Sequence, residues 1–273
     1  GGMRGPDFAR RLVTALAALR GDLLTDMHVQ LRIETSMIED FAAIEEFVGE
    51  AGIRMVVFND HLPHKALSEG RAPPRLSGQS LKAGRSPDAH WALLRELHER
   101  HADVPDAVAG LAARLAGQGV LLGSHDDRTA ETRAWYRGVG ASIAEFPETE
   151  EALVAAQEDT VVLGAPNVMR GGSHKKGLSA GDAAAAGRCD VLVSDYHYAS
   201  LRAAALKLEA DGFAAWSMVS EAPARALGMS DRGRLEPGRR ADLTVLGAGG
   251  RVVGTMVNGR WSYMTAPLYE ALA

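Results

Sequence analysis

Four short apolar runs in this chain each end on side chains that bind metal ions or move protons: Glu34, Asp60-His61, His125-Asp126-Asp127 and Asp195. Imidazole and carboxylate donors with no thiolate suit zinc first, with manganese, iron or nickel as alternatives. A divalent ion held by such a set lowers the pKa of water, and a carboxylate such as Asp195 then takes up the proton. Each residue also has a plainer reading. An Asp at a strand end often caps the next helix, as Asp126 or Asp127 would before Thr129-Ala130-Glu131. A lone His there is commonly a hydrogen-bonded structural residue. The recurrence over four strand ends favours the metal.

Two further stretches carry chemistry. Gly164-Ala-Pro-Asn-Val-Met-Arg-Gly-Gly-Ser-His-Lys-Lys-Gly177 follows a strand directly. Its Gly171-Gly172 pair lets backbone N–H groups approach an anion. Arg170, Lys175 and Lys176 add cations, and Arg can grip phosphate oxygens with two parallel hydrogen bonds. Asn167 and His174 are the orienting and proton-transfer candidates of this loop. The plainer reading is a strand-to-helix loop with basic decoration. In Ser194-Asp-Tyr-His-Tyr198, Asp195 stands at the mouth of an apolar strand, with Tyr196, His197 and Tyr198 beside it as pocket-wall candidates.

Such side chains are far apart in sequence, so the fold must gather them. Strands are expected at Met27–Glu34, Ile53–Asp60, Gly119–His125, Ala141–Phe146, Thr160–Ala165 and Asp190–Asp195. Helical periodicity lies between them, with Phe8, Leu12, Leu16 and Leu19 on one face and Phe41, Ile44, Phe47 and Val48 on another. Strands alternating with helices give a parallel α/β sheet, doubly wound or closed as a barrel. In the first strand, Met27, Val29, Leu31 and Ile33 alternate with His28, Gln30, Arg32 and Glu34. That pattern fits a barrel with a polar lumen, or equally a half-exposed edge strand. In a (β/α) barrel the C-terminal strand ends converge on one face, where active sites are built.

The remainder of the chain punctuates this rhythm. Residues 62–87 hold Pro63, Pro73, Pro74 and Pro87 with three glycines and show no periodicity, so a long lid-like loop is expected. Its charges, Lys65, Arg71, Arg75, Lys82 and Arg85 against Glu69, suit an anionic ligand or a solvated loop. After about Gly228, a turn leads into a short strand ending at Leu246, then a hairpin turning on Asn258-Gly259 in type I′ geometry. So little β structure needs something to dock on.

Composition sets the outer bounds. The 273 residues are 46% hydrophobic and 24% charged, with a formal net charge of -5 and a single cysteine, Cys189. An internal disulfide and a multi-cysteine metal site are thereby excluded. Bulk attraction to nucleic acid or to an anionic membrane is not expected, nor is any apolar run long enough to span a bilayer. A cytoplasmic globular protein, able to form homo-oligomers, is the expectation.

Several segments together resemble the amidohydrolase superfamily and, within it, the diphosphatases of phosphonate catabolism. They are Leu31-Arg-Ile-Glu34, Asn59-Asp-His61, Gly123-Ser-His-Asp-Asp127, Ile143-Ala-Glu-Phe-Pro147, Gly164-Ala-Pro-Asn167 with Arg170-Gly-Gly-Ser-His174, and Ser194-Asp-Tyr196 with Ala199-Ser200-Leu201. The tail Asp231–Leu243 resembles the superfamily's return into a small β domain, so that the likeness runs from about residue 1 to residue 263. The resemblance implies a (β/α)8 barrel (TIM barrel) with a metal centre. It implies hydrolysis of a ribose-linked triphosphate to diphosphate and a 5-phosphate, with a small phosphorylated ribose as partner. Metal or catalytic roles fall on Glu34, His61, His125 and Asp195.

Members of the superfamily open with a strand bearing His-x-His or His-x-Asp, which does not occur before Met27. The expectation is therefore an incomplete barrel over residues 1–228, lacking its first two βα units, and the C-terminal part of a small β domain over 229–273. Two alternatives accompany it: an amidohydrolase acting on a C–N bond, for which the cationic loop would be superfluous, and an inactive fragment.

Overall fold

The computed structural model describes residues 5–171 and 177–273. They fall into two compact units, Gly1–Asp126 with Trp135–Ser142, and Asp127–Ala134 with Ile143–Ala273.

In chain order the first unit carries α1 (Pro6–Leu19), β1 (Gln30–Glu34), α2 (Phe41–Ala51), β2 (Met55–Asn59), α3 (His64–Ser68), α4 (Leu76–Lys82), α5 (Pro87–Glu99), α6 (Val104–Gly117) and β3 (Leu121–His125). α7 (Ala130–Gly138) and β4 (Ala141–Glu145) supply residues to both units. β1 pairs with β2 and β2 with β3, both in parallel. The register sets Glu34 opposite Asn59, and Asn59 opposite His125. β2 shows why the sheet is parallel and covered: Val56, Val57 and Phe58 are fully buried, as a strand with helices over both faces requires. Val108, Leu111 and Leu115 of α6 pack with Val48, Val56, Phe58 and Leu122 in one core. Gly52 ends α2 in the left-handed conformation (φ 61°), where a Cβ would be strained.

The second unit continues with α8 (Glu150–Ala155), β5 (Thr160–Gly164), α9 (Ala165–Arg170), α10 (Ala180–Ala185), β6 (Val191–Val193), α11 (Ala199–Ala210) and α12 (Glu221–Ala226). β4, β5 and β6 pair in that order, again in parallel. Small residues let the helices lie close: Ala165, Ala180, Ala184, Ala204 and Ala205 share a core with Leu153, Val161, Leu163 and Leu192. Arg133, with no exposed surface, sits between two carboxylates, Asp127 and Asp159, each 3.1 Å away. β7 (Leu243–Leu246), β8 (Val252–Val257) and β9 (Arg260–Met264) form a separate antiparallel sheet, followed by α13 (Ala266–Leu272). Asn258 and Gly259 both have positive φ, 49° and 77°, as the type I′ turn demands.

The six parallel strands thus run in chain order within each unit, with helices between them: the α/β layout expected of a (β/α) barrel. Three expectations change. Residues 62–87 are not one loop but hold α3 and α4, whose five and seven residues are too short to display a period. α7 is capped by Thr129, whose Oγ1 accepts the Thr132 N–H at 3.1 Å, rather than by Asp126 or Asp127. The first strand begins at Gln30, not Met27, with Gln30 and Arg32 exposed and Ile33 buried. Among the described residues no helix is long and apolar enough to cross a membrane.

Candidate metal centre

β2 and β3 run parallel in register, so their C-terminal ends place His61 and His125 near each other, with ring centroids 6.0 Å apart and the rings nearly perpendicular. The residue after β3, Asp126, turns the backbone left-handed (φ 60°). Its carboxylate then stands 3.4 Å from His125 Nε2 and 4.0 Å from His61 Nε2. One ligand atom from each of His61, His125 and Asp126 lies within 4.8 Å of the other two. Two imidazoles and a carboxylate at this spacing suit a divalent transition-metal ion, with zinc, manganese, iron and nickel all compatible with the donors. The His125 side chain is 7% exposed and that of His61 47%, leaving the group sheltered on one side and open on the other.

Glu34 reaches the same histidine from behind. Its Oε1 lies 2.7 Å from His61 Nδ1, and its Oε2 accepts the His61 backbone N–H at 3.2 Å. A carboxylate accepts only, so His61 Nδ1 carries the proton and Nε2 turns its lone pair outward, toward Asp126. This carboxylate–histidine pairing is the usual support of a metal-ligating imidazole. The bond from Glu34 also raises the His61 pKa above its ordinary value, against partial burial, which lowers it; the Asp126 charge adds to the rise. Asn59 Nδ2 lies 3.3 Å from the same Nδ1.

The other expected site residues lie in the second unit. Asp195 is exposed and left-handed (φ 48°), two residues beyond β6. The end of β5 lies near it: a Cβ added at Gly164 would stand 3.9 Å from the Asp195 Cβ, an ordinary contact distance. The Arg170 guanidinium donates to the Tyr196 hydroxyl, joining the end of α9 to the loop after β6. Asn167, in α9, donates to the Leu178 carbonyl and accepts the Ala180 N–H, both at 3.0 Å. Tyr196 and Tyr198 are largely exposed. His174, Lys175 and Lys176 lie outside the described residues.

Asp126 is a residue that the sequence placed at a strand end with two readings open, metal ligand or helix cap. Its signal was adjacency to His125, and what makes it converge is the left-handed turn.

Residues 146–262 match the model of the amidohydrolase family. Over 143 residues, 50% of the chain, it is 40% identical to the alpha-D-ribose 1-methylphosphonate 5-triphosphate diphosphatase of Escherichia coli (strain K12). That match spans 38% of the relative's length. Among solved structures, N-acetylglucosamine-6-phosphate deacetylase from Thermotoga maritima aligns with 88% of this chain and 87% of its own, at 17% identity and a TM-score of 0.48. The beta-aspartyl dipeptidase of Fervidobacterium islandicum AW-1 aligns with 59% of this chain and 53% of its own, at 11% identity and a TM-score of 0.47.

Proposed function

We propose that this protein is a metal-dependent hydrolase that cleaves a phosphoanhydride bond of a ribose-linked triphosphate, releasing diphosphate and leaving a 5-phosphate. The observation that carries the reading is the convergence of His61, His125 and Asp126. These three residues would hold a divalent ion, with Glu34 fixing the tautomer and orientation of His61. A divalent ion bound there supplies Lewis-acid polarisation of water and of a phosphoryl oxygen. Asp195, assigned a metal or base role from the sequence, accepts the proton released as water attacks phosphorus. Arg170, with Lys175 and Lys176, neutralises charge spreading over the phosphoryl oxygens, and Asn167 is assigned to substrate binding. His174 is assigned to proton transfer to the departing diphosphate. The substrate assignment follows the 40% identity to the diphosphatase.

We further propose the division at residue 228, with β7–β9 as part of a small β domain. Place in the cytoplasm and a homo-oligomeric state belong to the same reading.

The test is diphosphate release from alpha-D-ribose 1-methylphosphonate 5-triphosphate by the purified chain, with and without a chelator. Release that stops on chelation and returns with zinc supports the reading. Turnover of acyl-amides with none of triphosphates transfers it to a C–N hydrolase, and turnover untouched by chelation removes the metal from the mechanism.

A further inference from the structure

A second cluster of imidazoles begins at His64, three residues beyond His61. α3 opens on His64, and α5 ends close to His98. The two Nδ1 atoms are 2.9 Å apart. His101 stacks on His98, with ring centroids 5.1 Å apart and planes 11° from parallel.

The far side of each ring is already fixed. His64 Nε2 lies 2.8 Å from Asp60 Oδ2, and a carboxylate accepts only, so the proton of neutral His64 sits on Nε2. Asp60 is itself braced by the Leu62 N–H at 3.0 Å. Ser68 Oγ donates its one proton to the His64 carbonyl at 2.9 Å, so toward His98 Nε2, 3.4 Å away, it can only accept. His98 Nε2 therefore carries its proton as well. Two neutral rings so arranged would leave two unprotonated Nδ1 atoms facing each other, a repulsion relieved by a proton on the line between them or by a metal ion set to one side of that line.

We propose that His64 and His98 form a second cation site, distinct from the first, which takes a copper(II)- or nickel(II)-class ion on the two facing Nδ1 atoms with Asp60 and Ser68 as its outer support. Imidazole nitrogens bind such ions at about 2.0–2.1 Å, so two ligands at a right angle are about 2.9 Å apart, which suits the tetragonal preference of copper(II) and nickel(II). The observed separation has that value. Outer carboxylate and hydroxyl partners are what hold a ligating imidazole in one tautomer. The His64 side chain is 37% exposed, so an ion can enter from solvent. A single proton shared by the two rings is the competing occupant.

Equilibrium dialysis of the full chain against nickel(II), followed by elemental analysis, separates the two. His98→Ala is expected to hold one ion fewer than the unchanged chain, and His125→Ala one ion fewer for a different reason. If His98→Ala keeps all its nickel, the pair shares only a proton and the inference is overturned. If His125→Ala keeps all its nickel while His98→Ala loses an ion, the metal centre of the proposed function fails and this inference stands. Circular dichroism checks that His98→Ala folds. Should it not, copper(II) is added to the His125→Ala chain and its electron paramagnetic resonance recorded. Superhyperfine splitting from two imidazole nitrogens is expected, and a spectrum without it overturns the site.

Discussion

Glu34 and His125 stand at the same level on the two strands that flank β2, each the register partner of Asn59. The row is a consequence of pleat and register: in parallel strands without a slip, side chains at matched positions point to the same face. Two residues past the middle of that row, His61 folds back so that Glu34 meets one of its nitrogens and Asp126 faces the other.

Glu34→Gln tests what this row accomplishes. An amide can still contact Nδ1 but no longer favours a single tautomer, so zinc affinity should fall by about 10–100-fold. Isothermal titration with zinc reads the change. A variant that binds as tightly as the unchanged chain would show that Glu34 does not position His61.

His125→Ala removes a ligand instead of its support. Bound zinc should be lost on dialysis and hydrolysis should drop by on the order of a hundredfold or more, since a metal acts on both water and phosphoryl oxygen. Metal content and diphosphate release, measured on the same sample, check whether the two losses go together.

Arg133 tests the packing of the second unit. Replacing it with Met leaves Asp127 and Asp159 buried beside each other without their cation. Removing one partner of such a buried network costs about 3–5 kcal/mol. Urea unfolding followed by tryptophan fluorescence should show a correspondingly lower midpoint.

Cys189 gives a pH dependence. Burial, with Asp190 nearby, pushes its thiol up to about 12 from 9.0. The folded chain therefore holds this proton more tightly than the unfolded one. Its contribution to stability is complete below pH 9 and fades as pH rises toward 12. At pH 8 the native protein should not react with Ellman's reagent, whereas protein unfolded in guanidinium should release one equivalent. Rapid reaction of the native form would place the thiol in a more open setting.

Much of this architecture is legible in the amino-acid order because parallel strands covered on both faces must be continuous apolar runs. Val56-Val57-Phe58 and Val161-Val162-Leu163 announce themselves, and Asn258-Gly259 marks its hairpin. His61 and His125 were legible because they follow such runs. Other parts were not, for identifiable reasons. α3 and α4 lie among prolines and glycines, and their five and seven residues span too few turns for a repeating pattern to show. The pairing of His64 with His98 joins residues 34 positions apart through the placement of two helices, which local pattern does not encode. Asp126 was visible as a residue, but its convergence depends on a backbone angle that no neighbouring residue type specifies. α1 formed where the periodicity put it, yet none of its residues is buried, because an apolar stripe tells that a helix exists and not what covers it.

The left-handed backbone at Asp126 narrows what evolution can do there. That conformation tolerates glycine, asparagine and aspartate far better than other residues, while the metal centre proposed above calls for a charged oxygen donor at the same spot, which only aspartate or glutamate supplies. A single amino acid satisfies both demands. Drift at position 126 is thus closed off twice over, once by stereochemistry and once by chemistry, so that any descendant carrying another residue there will have surrendered either the bend or the bond.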